Sequence, residues 1–163
     1  MNLKYVLLLT SLILIGCDNK MPASSEQSTI QIHTEVGILN KLISIPAEPL
    51  SVKWEINESK ERGTGSLRAL LEFNEQDKQD ILQKSTEFEN KTNDRIDAAF
   101  FDTWLPAESK EGIETELVSG SYLLKDTFAL QPDLFTQTEL SPYVNGSITP
   151  LSGGYILIAL YSM

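Results

Sequence analysis

The chain carries one thiol, Cys17, one imidazole, His33, and 23 carboxylates. These few groups bound the chemistry available to it. Nucleophilic catalysis through a histidine base would have to use His33, and no serine stands in a recognisable nucleophile turn. One imidazole does not supply the usual ligand set of a histidine metal site, and one thiol supplies neither a cysteine zinc site nor an intramolecular disulfide. Carboxylates are the only groups present in number. Glu55 and Glu72 could face each other across two strands, and Asp97 and Asp102 flank Phe100 and Phe101. A glycosidase needs two carboxyls at a defined separation, one with a raised pKa. Gly63-Thr64-Gly65 lacks the lysine and the following helix of a phosphate loop, and the alternating oxygen ligands of a calcium loop are absent. The residues therefore favour a non-catalytic chain with no cofactor and no metal, with a carboxylate-dependent cell-wall glycan hydrolase as the alternative.

The thiol has the most telling surroundings. Met1 to Tyr5 carries one basic side chain, Lys4, and ten uncharged residues from Val6 to Ile15 follow, eight of them aliphatic besides Thr10 and Ser11. That run is about half of the ~20 residues that a helix needs to span a bilayer. A charged start before a short apolar core has the shape of a secretory signal. The small-x-small cleavage pattern is missing, and Leu14-Ile15-Gly16-Cys17 stands in its place.

Leu14-Ile15-Gly16-Cys17 resembles the lipobox of bacterial lipoproteins. The resemblance implies that Cys17 is joined to diacylglycerol, that the signal of residues 1–16 is removed, and that Cys17 becomes the first residue of the mature chain. Two or three acyl chains would anchor it stably, since each buried methylene contributes ~0.8 kcal/mol. The implied partner is the lipid bilayer, and the implied location is the periplasm-facing surface of a cell membrane. Asp18 and Asn19 occupy the membrane-sorting positions after the cysteine. Asp18 resembles the signal that keeps enteric-type lipoproteins in the inner membrane, with the outer membrane as the other destination.

Loss of residues 1–16 removes only Lys4 among the charged residues, so 12 basic and 23 acidic side chains remain and the net charge becomes 12 − 23 = −11. Such a surface disfavours nucleic acid and anionic headgroups, both of which attract basic proteins. It favours solubility, and it would speed encounter with a basic protein partner of the kind an inhibitor or immunity protein neutralises. Without disulfides, the domain must be held by its apolar core, which a chain of this length can supply.

The elements read as follows. Residues 17–29 form a polar tether after the acylated cysteine, and residues 30–163 form one domain. The segment 30–45 alternates as a strand at Ile30, Ile32 and Val36, then repeats at helical spacing, and a short helix over 35–44 is preferred. Val52, Trp54 and Ile56 alternate with Lys53 and Glu55, which predicts a strand over 50–56, and 67–73 alternates in the same way. The charged stretch 57–66 reads as a loop. Asn74 caps a helix with Glu75 and Asp77 in its first turn. The segment 92–105 reads as a second helix or an extended stretch ending at Pro106, and 107–142 shows no clear period. Strands near 145–151 and 154–162 flank the turn Ser152-Gly153-Gly154. The second of these strands is apolar at both parities, the pattern of a central strand covered on both faces. Together these predict a small single α+β domain with an antiparallel sheet and helices packed on a face. Trp54, the 67–73 strand, Trp104-Leu105-Pro106 and the Gly153-Gly154-Tyr155 ending also resemble uncharacterised proteobacterial envelope proteins, a likeness that implies no activity and no site residues.

Overall fold

The computed structural model describes residues 31–59, 64–138 and 141–162. Two antiparallel sheets organise them. The larger has five strands: β1 (Ile32–His33), β2 (Ser51–Ser59), β3 (Thr64–Glu72), β7 (Asn145–Pro150) and β8 (Tyr155–Tyr161), in the order β1-β2-β3-β8-β7. The smaller has three: β4 (Asn93–Asp97), β5 (Thr115–Val118) and β6 (Ser121–Phe128), with β6 in the middle. Helices α1 (Leu39–Leu42), α2 (Glu75–Lys84) and α3 (Ala98–Trp104) complete the fold with a 3-10 turn at Glu108–Lys110. The α+β class holds, and the single sheet foreseen from the sequence becomes two.

The reason lies in β3 and β8, paired from Ser66↔Tyr161 to Glu72↔Tyr155. Ile156, Ile158 and Leu160 point to one face with Leu67, Ala69 and Leu71, while Leu157 and Leu70 point to the other. Both faces therefore need a cover, because exposed apolar area costs roughly 25 cal/mol per Å². Leu39 and Ile43 at α1, Ile81 of α2, Phe135 and Tyr143 cover the first face. Ile96, Phe101, Trp104, Leu105 and Leu124, from the small sheet and α3, cover the second. Helices pack on both faces rather than one, and a second sheet shares the work.

The local signals explain most boundaries. Asn74 caps α2 by accepting the Asp77 N–H at 2.9 Å. The 107–142 stretch contains the β5–β6 hairpin, closed by Ser119 and Gly120 with φ of 51° and 80°. Two positive φ values make a two-residue hairpin turn whose twist suits the flanking strands. Helix α1 is only four residues, shorter than the helix foreseen over 35–44, and β1 precedes it as a strand. The segment 92–105 is both things in turn, β4 and then α3, with Asp97 capping the helix. Strands β2 and β3 run to Ser59 and from Thr64, so most of the 57–66 loop is strand; residues 60–63 lie outside the described residues. Pro150 ends β7, which pairs along β8 and meets Leu130 in a single bridge at Ile148.

Helix α2 breaks its apolar stripe with Lys78, which is buried and donates from Nζ to the Leu151 carbonyl at 2.5 Å. Burial pushes the Lys78 pKa down, with Glu75 opposing the shift. The hydrogen bond ties α2 to the end of β7, and the long stem fills space that an apolar residue would otherwise occupy.

Glycine is required at position 146. Its φ is +138°, and a Cβ there would stand 2.0 Å from the Ala159 carbonyl oxygen. Substitution would push β7 off β8. Gly146→Ala should therefore lower the unfolding free energy by about 3 kcal/mol, at the upper end of ordinary overpacking penalties. Urea denaturation followed by far-UV circular dichroism measures this, and a change below ~1 kcal/mol would contradict the close approach of the two strands.

Candidate functional site

The sequence-predicted site residues Cys17, Asp18 and Asn19 lie outside the described residues. The remaining chemistry-bearing groups fall into separate places rather than one centre.

Alternation along β2 sends Trp54 to one face and Lys53 and Glu55 to the other. On the first face, β1 sets His33 opposite Trp54. The imidazole stacks on the indole with centroids 4.3 Å apart and planes 19° from parallel. Trp54 Nε1 donates to the Glu35 carbonyl at 2.8 Å, which fixes the indole from its far edge. A groove of about 410 Å³ opens between β1 and the turn at Gly37, with Trp54 buried at its base and Ile32 and Ile38 among its lining residues. The groove is open to solvent and mixed in polarity, suited to binding a surface rather than enclosing a small molecule.

On the second face, Glu55 is 6 % exposed. Its carboxylate accepts the Trp104 indole N–H at 3.0 Å, and the Arg68 guanidinium stands 3.6 Å away. Arg68 is its cross-strand partner and lies over the Phe100 ring, 4.5 Å from the centroid. Lys53 Nζ donates to the Trp104 carbonyl at 2.7 Å and also lies over the Trp104 ring at 4.5 Å. Burial pushes the Lys53 pKa down, and neighbouring Glu55 partly offsets this. Phe100 and Trp104 stack at 4.7 Å. The group is a joint: three charged side chains of β2 and β3 grip the aromatic face of α3. A general acid or base must reach a substrate proton. Glu55 instead has its oxygens directed to Trp104 and Arg68.

The carboxylate pairs considered from the sequence do not form. Glu72 stands opposite Ser51, not Glu55, and accepts the Ser51 hydroxyl at 2.6 Å. Glu55 and Glu72 are offset by four residues along the strands, roughly 13 Å at the rise of an extended chain. Retaining and inverting glycosidases hold their carboxyls roughly 5 to 9.5 Å apart. Glu72 belongs to a separate group with Tyr155, whose phenol pKa is raised by burial and then by Glu72 and Glu108. Asp97 is spent on the α3 cap, accepting the Phe100 N–H at 2.8 Å. Asp102 instead faces Tyr122, whose hydroxyl lies 3.4 Å from its carboxylate. Among the described residues no three His, Cys, Asp or Glu side chains gather as a metal site.

Trp54, read from the sequence as a residue of the 50–56 strand, is both a core residue and the base of the groove. The alternation Ile30, Ile32 was visible, and reading it as an edge strand would have put His33 against β2. The Glu55–Trp104 bond joins residues 49 apart and had no local signal.

No protein-family model, curated protein or solved structure matches this chain.

A double-mutant cycle tests the joint. Glu55→Ala leaves the Trp104 indole N–H without its partner, and Trp104→Phe removes that donor. Each single change should destabilise the domain by about 1–3 kcal/mol or more, and the two together by less than their sum. Strict additivity in urea denaturation would contradict the geometry.

Proposed function

We propose that this chain is a membrane-anchored bacterial envelope lipoprotein whose domain is a non-catalytic binding module. The observation that carries the reading is Leu14-Ile15-Gly16-Cys17, which places the chain's single thiol directly after a short apolar run and ahead of a polar stretch. The first described element downstream is β1 at Ile32. No described helix is long and apolar enough to cross a membrane; the anchor proposed is acylation of Cys17, as the lipobox resemblance implies.

The binding half of the proposal draws support from how the charged groups are used. His33 is stacked on Trp54, Glu55 is bonded into the α3 joint, and Asp97 caps a helix. The acids most plausible as a catalytic pair serve structure at separate places. What faces outward is an acidic surface, suited to fast encounter with a basic protein. A periplasmic inhibitor or immunity function belongs to this class.

Cys17→Ser tests the anchor. The variant should lose membrane retention and signal removal, read by fractionation and by the mass of the mature chain; retention and cleavage as in the native chain would refute it. Capture from native envelope extract tests the binding half. A basic protein held at low salt and released at moderate salt supports it, because screening weakens exposed charge pairs. A partner whose binding ignores salt would contradict electrostatic steering.

A further inference from the structure

We infer that the β1–α1 edge, with the groove between them, is the membrane-facing side of the domain and rests on the neutral interfacial region of the bilayer. The inference rests on the lipoprotein reading and adds an orientation to it.

Three observations converge on this edge. The first is where the chain arrives. Fourteen residue steps separate Cys17 from Gln31, a covalent reach of at most about 50 Å. Acylation would therefore hold β1 close to the bilayer at a high effective concentration, so that a weak contact is enough to orient the domain. The second is apolar exposure. Ile32 and Ile38 both line the groove and are 47 % and 56 % exposed, together about the area of one whole isoleucine. The third is charge. Between Gln31 and Ile45 the only charged residues are Glu35 and Lys41, which cancel, in a mature chain that carries −11. Glu55, the cross-strand partner of Ile32, is already engaged by Trp104 and Arg68. A strongly acidic domain held at a lipid surface minimises repulsion by turning its least acidic side toward it, and a few apolar side chains at that side add to the contact.

Leu117 of β5 supplies a contrast. It is 62 % exposed, yet β5 belongs to the small sheet that covers the opposite face of the large one. Exposure alone would make Leu117 an equal candidate; chain entry and local charge select Ile38.

The test uses the full chain, expressed with signal processing and reconstituted in phosphatidylcholine vesicles. Ile38→Cys and Leu117→Cys are each labelled with a polarity-sensitive fluorophore, since an acylated Cys17 leaves the introduced thiol as the only reactive one. The label at position 38 should shift to the blue and be quenched by nitroxide on the lipid chains. The label at 117 should do neither. Replacing part of the lipid with phosphatidylglycerol at low salt should weaken the quenching at 38. The mass of the amino-terminal peptide separates the two levels of failure. An unmodified Cys17 would overturn anchor and orientation together. An acylated Cys17 with the position-38 label in water, or with both labels quenched alike, would overturn the orientation alone.

Discussion

Strands β3 and β8 are apolar on both sides, and everything else in the domain follows from covering them. A strand pair with one solvated face would need only one layer of helices. Leu70 and Leu157 on the second face forbid that arrangement. The chain answers with a further layer, in which β4, β5 and β6 form their own sheet and α3 brings Phe101 and Trp104 inward. The result is three layers built from short elements, with the middle layer carrying the longest strands.

The second layer is held by more than apolar contact. Glu55, Lys53 and Arg68 are charged residues on a face that is otherwise being closed to water. A buried carboxylate is costly unless it is paired and hydrogen-bonded. Trp104 supplies the hydrogen bond and Arg68 the opposite charge, while the rings of Trp104 and Phe100 receive the two cations. This use of the polar groups shapes function as well as stability. Of the side chains that looked able to do chemistry, Glu55 and Asp97 are committed to holding and capping α3. The His33–Trp54 groove lies on the other face of β2, beside β1.

Much of the large sheet was legible from residue pattern. The period-two runs at Val52–Ile56 and Leu67–Phe73 pair as expected, and the two-sided apolarity of Tyr155–Tyr161 foretold a central strand. Asn74 foretold the start of α2. The small sheet was hidden because β5 is four residues long and its inner face is mixed. Leu117 is exposed and none of the four residues is fully buried, so no clean alternation runs along it. Ser119-Gly120 was the one strong local signal there, a turn dipeptide of the kind that closes two-residue hairpins. Lys78 in the interior of α2 and the Glu55–Trp104 bond were illegible for a different reason. Each depends on a partner far along the chain, and sequence periodicity reports only whether a position is covered, not by what.

The claim that a doubly covered β3–β8 pair holds the domain together is tested most directly by native-state hydrogen exchange. The amides of β8 between Ile156 and Leu160 should exchange only through global unfolding, with the same free energy that urea denaturation gives. Those of β5 should exchange earlier, through local opening of the small sheet. Exchange from β8 as fast as from β5 would contradict the account, because it would mean that the middle of the large sheet opens without the rest.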